Sequence, residues 1–195
     1  MAPNGWFNRS PTLLLAHSLS GQLLQGNFNG RHSGPKASVD FHIAEQGDII
    51  LCHNPHGAYG YWTHAVLYVG NEQVIDATDF SRGTKLQSVN NYRDYDEVMI
   101  LRPKVPVKLR REAAQVARKE VGIPYDPLGF LGDIHSVYCS KLVWQVYSKV
   151  GVQLCAVHGW VLPDHIANSP QVACITHWSV FGRLGNYVGR KQSVP

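Results

Sequence analysis

From about residue 38 onward, short apolar runs alternate with turn residues. Gly47-Asp48 makes a turn, and the unbroken run Ile49-Ile50-Leu51-Cys52 after it predicts a strand buried on both faces. His53 to Gly60, with Pro55, Gly57 and Gly60, reads as a loop, and Thr63-His64-Ala65-Val66-Leu67-Tyr68-Val69 as a second strand. The turn Gly70-Asn71-Glu72 leads into a third strand, Gln73-Val74-Ile75-Asp76-Ala77, so the second and third strands form a hairpin. A polar segment with Ser81, Arg82 and Gly83 separates these from a fourth strand, Asp96 to Arg102, closed by Pro103. The period then changes. Leu109, Ala113, Val116, Ala117 and Val121 fall on one face of a helix over 108–121, with Arg110, Arg111, Arg118, Lys119 and Glu120 on a face expected to be solvated. Gly122 to Pro127 breaks this helix. A second helix begins at or near Cys139, with Leu142, Val143, Val146 and Val150 at offsets of three, four, seven and eleven, and ends at Gly151. Beyond Gly159-Trp160-Val161-Leu162-Pro163 the pattern fixes no further strand, and Trp160 is expected in the core. Strands come first and helices second, which is the α+β class.

Composition bounds this picture. The 195 residues are 44% hydrophobic and 16% charged, enough for one folded domain with a real core. The expected organisation is a flexible N-terminal arm over 1–37, a single domain over 38–180 and a tail over 181–195. Leu13-Leu14-Leu15-Ala16 is too short an apolar run to read as a signal peptide, and no run is long enough to span a membrane. A net charge of +4 with a pI near 8.9 is too weak to argue for nucleic acid, though it suits an anionic surface. The four cysteines form no C-x-x-C pair, so a zinc ribbon or dithiol site is not indicated. A disulfide between Cys155 and Cys174 stays open.

The candidate chemistry starts at Cys139, on the inward stripe of its helix and in the first turn. A thiolate there is stabilised by the helix dipole and by unpaired backbone N–H groups, which suits a nucleophile. The plain alternative is a small buried apolar side chain. A cysteine nucleophile needs a base, and the base needs an orienting group. Ten histidines are available, but His64 lies inside a strand whose hairpin partner carries Asp76, twelve positions on. A turn centred on Gly70 puts the two side chains directly opposite; one centred on Asn71 makes them diagonal neighbours on the same face. His135, four residues before Cys139, is the rival base, without a paired carboxylate to orient it. Cys52, His53 and His56 offer an alternative of another class, a zinc site, although a loop that happens to carry histidines explains them as well. No cofactor is called for.

The segments Gly47-Asp48-Ile49-Ile50-Leu51, Thr63 to Gly70, Val74-Ile75-Asp76-Ala77 and Tyr138-Cys139-Ser140-Lys141-Leu142-Val143-Trp144 together resemble the circularly permuted NlpC-type papain-like enzymes. That group includes the YiiX-like amidases and lecithin retinol acyltransferase, and in it the histidine strand precedes the cysteine helix, as here. Val161 to Ile166 with Ser169-Pro170 is similar to the segment that follows the helix in YiiX-like members. The resemblance covers roughly residues 40 to 176. It implies a papain-like fold, with a small antiparallel sheet or half-barrel packed against helices. It implies Cys139 as nucleophile, His64 as base and Asp76 at a third polar position often held by glutamate or histidine. Tyr125 and Asp126 match a segment before the nucleophile, and Tyr125 and Tyr138 are the expected substrate-binding residues. The implied activity is a cysteine hydrolase acting through a thioester on an amide, in a peptide or cell-wall-type substrate. Acyl transfer or hydrolysis on lipids is the alternative, and a binding module without turnover the alternative of another class.

Overall fold

In the computed structural model the described residues are 36–55, 59–81 and 83–180; the expected arm, apart from Lys36 and Ala37, and the expected tail lie outside them. Six strands form one sheet: β1 (Ile49–His53), β2 (His64–Gly70), β3 (Gln73–Asp79), β4 (Gly83–Ser88), β5 (Glu97–Pro103) and β6 (Val172–Ser179). Their order is β4-β3-β2-β1-β5-β6, with every neighbouring pair antiparallel. Helices α1 (Val107–Lys119) and α2 (Cys139–Lys149) follow, with a short α3 (Pro163–Ala167) before the last strand.

The central position of β1 accounts for its unbroken apolar run. Ile49 and Leu51 join Ala65, Leu67, Ala113, Val143 and Val146 in a core between sheet and helices. Ile50 and Cys52 face the other way, into a second core with Val66, Val74 and Val98, covered by Val39, Phe41, Tyr92 and Tyr95. A strand covered on both faces has no polar row to alternate with its apolar one. Each such aliphatic side chain contributes about 1.5–3 kcal/mol through burial.

The hairpin turn is made by Asn71 (φ 56°) and Glu72 (φ 55°), both left-handed, the combination a two-residue type I′ turn requires. Leu67 pairs with Ile75 and Tyr68 with Val74, so the ladder is centred on Asn71, with a one-residue slip where Gly70 meets Gln73. Gly70 is left-handed as well, and a Cβ there would meet the Gln46 side chain at 2.7 Å.

Five expectations need correction. Strands β4 and β6 were not expected, and they are the two edges: β4 is buried only at Gly83 and Thr84 and then alternates half-buried with exposed positions, and most of β6 is only partly buried in spite of its run Val172-Ala173-Cys174-Ile175. Arg110 is not on a solvated face; it is buried, with Nη2 donating to Glu45 at 2.6 Å and Nη1 to the Val105 carbonyl at 3.0 Å. Glu120 is likewise buried and accepts from Lys149 at 2.7 Å. Helix α1 ends at Lys119, which leaves Val121 exposed beyond it. Helix α2 ends as expected, at a left-handed Gly151. Trp160 is half-buried, tilted against Phe130.

Candidate active site

His64 is the first residue of β2 and Asp76 the fourth of β3. Continued from Leu67↔Ile75, the ladder makes them diagonal neighbours on one face, the second of the two registers considered above. His64 Nε2 approaches Asp76 Oδ1 to 3.0 Å, with both side chains almost wholly buried. The approach is off the N–H axis, so neither atom has a well-aligned hydrogen bond, and the contact is chiefly one of charge. The other oxygen, Asp76 Oδ2, accepts from the Tyr92 hydroxyl at 2.6 Å, from Thr78 Oγ1 at 3.1 Å and from Gln87 Nε2. The His64 ring lies parallel to those of Tyr92 and Tyr95, with centroids 5.9 and 6.1 Å away. Burial pushes the Asp76 carboxyl up. The His64 charge and the donors around it outweigh that and hold its pKa below the ordinary carboxylate value.

Cys139 arrives from the opposite side. It belongs to the core between sheet and helices and begins α2, after an extended Tyr138 (φ −117°, ψ 172°) that supplies no side-chain cap. Because His64 stands at the very end of its strand, the helix start reaches it there, and Cys139 comes close enough to bear on the imidazole's protonation. Burial pushes the imidazole down, but the negative charges of Asp76 and Cys139 beside it outweigh this, and its pKa rises to about 10. The sequence-derived trio Cys139, His64 and Asp76 is thus brought together in one buried cluster. The first N–H groups of α2 have no intrahelical acceptor and point past the thiol's end of the helix. Such an arrangement can pair a thiolate with an imidazolium and hold developing negative charge on a carbonyl oxygen.

Three tyrosines wall the thiol. Tyr125, expected as substrate-binding, is buried with its hydroxyl 3.1 Å from that of Tyr59. Tyr138, also expected there, is fully buried, and its hydroxyl accepts the Val161 N–H at 2.9 Å. Tyr59 stacks on Tyr138 with centroids 5.8 Å apart. Burial raises all three phenol pKa values, and Cys139's charge adds to the rise at each. The buried Lys141 was missed by sequence reasoning, because an isolated lysine beside an apolar stripe looks like a surface residue. Its ammonium donates to the carbonyls of Phe130 (2.6 Å) and Ser136 (2.8 Å), tying the approach to Cys139 onto α2.

His135 is exposed in the loop before α2, its backbone N–H bound to Asp133. Cys52 and His53 point to opposite faces of β1: Cys52 lies in the second core, while His53 stacks on Tyr61 at 4.2 Å. His56 lies outside the described residues, and the opposed directions of Cys52 and His53 do not suit one shared ion. Cys155 and Cys174 are both free thiols, not a disulfide. Sequence reasoning also missed a second histidine–carboxylate pair, His177 Nε2 with Glu97 Oε2 at 2.7 Å, joined by the Tyr61 hydroxyl at 2.6 Å from Oε1. It is assembled from β5 and the unforeseen β6.

Comparison with known proteins adds to this geometry. Residues 43–181 match the family model described as "permuted papain-like amidase enzyme, YaeF/YiiX, C92 family". Among solved structures, the chain is similar to one described as metalloprotein yiiX from Escherichia coli O157:H7, with a TM-score of 0.56 and 17% identity over 68% of this chain and 96% of that one. At that identity the likeness bears on the fold, which is papain-like and α+β. No curated protein matches the sequence. That neighbour is titled a metalloprotein, but among the described residues here no three His, Cys, Asp or Glu side chains are gathered to hold a metal ion.

Proposed function

We propose that this chain, which belongs to the permuted papain-like amidase family of YaeF and YiiX, cleaves an amide bond through a thioester on Cys139. The observation that carries the reading is the buried convergence of Cys139 on His64, whose ring also contacts Asp76 at 3.0 Å. His64 takes the thiol proton, and the sulfur attacks the carbonyl carbon. The carbonyl π electrons move to oxygen, where N–H groups at the start of α2 receive the charge. Collapse of the tetrahedral adduct breaks the C–N bond, and the leaving amine takes the proton held by His64. Water, deprotonated by the same imidazole, then hydrolyses the thioester. Asp76 holds the ring and balances its positive charge, and is itself fixed by Tyr92, Thr78 and Gln87. Tyr125 lines the approach to the sulfur.

The substrate proposed is a peptide or cell-wall-type amide. A second reading, hydrolysis or transfer of lipid acyl groups, is favoured by exposed apolar side chains close by. Phe80 packs edge-on to Tyr125 at 4.9 Å, and Leu128, Phe130 and Ile134 project from the loop that Lys141 ties down. Incubation with cell-wall peptides and with acyl lipids, followed by product analysis, separates the two. New amines from the peptides are expected; fatty acid or transferred acyl chains would favour the second reading; no product from either would refute both.

A further inference from the structure

Cys139 is only 1% exposed, so no substrate carbonyl reaches it until something moves. The covering side chains that meet each other are Tyr59 and Tyr125, joined through their hydroxyls. They are held very differently. Tyr125 is pinned through its backbone: it bridges Val137, the Asp126 N–H donates to the Val137 carbonyl, and the Val137 N–H donates to the Pro124 carbonyl, each at 3.0 Å. Tyr59 lies outside every strand and helix, in a strap that rejoins the sheet where the Thr63 N–H reaches the Cys52 carbonyl at 2.9 Å. Its backbone is left-handed (φ 81°), unusual for a bulky residue, and Gly60 follows at φ 121°. Such a conformation persists only where the surroundings impose it.

The surroundings that impose it come from α3. Asp164 presses on the strap so closely that a Cβ on Gly60 would lie 2.1 Å from Oδ2. That oxygen is buried and has no hydrogen-bond partner, while the carboxylate faces the backbone N–H groups of Tyr61 and Trp62. What holds the strap is the attraction of this buried carboxylate for those two N–H groups, although Oδ2 itself gains no aligned donor.

We propose that Tyr59 is the gate over Cys139, swinging about Gly60, and that Asp164 is the positioning residue that latches the strap shut. Opening breaks the Tyr59–Tyr125 hydroxyl bridge and slides Tyr59 off Tyr138, while Tyr125 stays on its backbone anchors. The gate rests on Cys139 being the nucleophile, and the test separates the two claims. The full-length protein is treated with iodoacetamide at fixed pH, and the alkylation rate of the Cys139 peptide is read by mass spectrometry, with far-UV circular dichroism as the check on folding. Asp164→Asn is expected to alkylate about tenfold faster than wild type, as for loss of the negative charge that faces the Tyr61 and Trp62 N–H groups. Tyr59→Ala is expected to be faster by at least as much, and Tyr59→Phe, which removes only the hydroxyl, about two- to threefold faster. Wild-type or slower rates in the folded variants would overturn the gate; Tyr59→Phe keeps the test decisive if either other variant fails to fold. His64→Ala is the separate control: slower alkylation supports the nucleophile assignment, whereas an unchanged rate rejects it whatever the strap variants do.

Discussion

The sheet holds two histidine–carboxylate pairs, and they make an instructive contrast. His177 and Glu97 are the closer, at 2.7 Å, with a tyrosine hydroxyl completing the carboxylate. His64 and Asp76 are 3.0 Å apart and poorly aligned. By hydrogen-bond geometry alone the first pair is the better one. What it lacks is a thiol, and its imidazole is 19% exposed at the sheet's edge beside Trp62. The second pair is sealed under Tyr92 and Tyr95 and faces a cysteine at a helix start. The proposed function therefore rests on the third partner and on enclosure, since charge interactions weaken where water enters.

Substitutions can break or sharpen that contrast. The largest effect is expected for Cys139→Ala, which should abolish turnover, by about 10⁴-fold or more, in an amidase assay. His64→Ala should cost about 10²–10⁴-fold, the usual contribution of a general base, while His177→Ala stays within about threefold. Equal losses in the two would erase the distinction drawn between the pairs. Asp76→Asn should lower kcat by about ten- to a hundredfold, the loss of one ionic contact to a buried imidazolium.

The His64–Asp76 pair should also make stability depend on pH. The His64 pKa is raised in the fold to about 10, so its stabilisation is complete below the ordinary histidine pKa of about 6.5 and is lost as pH rises through about 10. The Asp76 pKa is lowered, so its share is present above the ordinary carboxylate value and is lost as pH falls through the folded one. Thermal melts should accordingly show wild type most clearly above Asp76→Asn between those limits, with the gap narrowing at each end. The smallest effect is expected for His177→Ala, a drop of about 2–4 °C in Tm for about 1 kcal/mol of part-buried hydrogen bonding.

Much of the central architecture was legible in the residues themselves. Ile49 to Cys52, the Gly70-Asn71-Glu72 hairpin and the Cys139 stripe each follow from local chemistry: a strand buried twice, a turn of left-handed residues, a helix with one apolar face. From these His64, Asp76 and Cys139 could be nominated, because strand alternation and helix periodicity fix which way a side chain leaves its own element. Local patterns do not say which elements become neighbours. The edge strands β4 and β6 bury too little to mark themselves, and so the His177–Glu97 pair was invisible. Arg110, Glu120 and Lys141 look solvated in a linear pattern and are buried only because distant groups meet their charges: Glu45, Lys149 and the carbonyls of Phe130 and Ser136. The hairpin register was left between two choices until the Asn71-centred turn resolved it. The covering of the thiol by Tyr59, with Asp164 behind it, joins segments about a hundred residues apart. No propensity encodes such a contact; it exists because the chain folds back until its buried surfaces are filled.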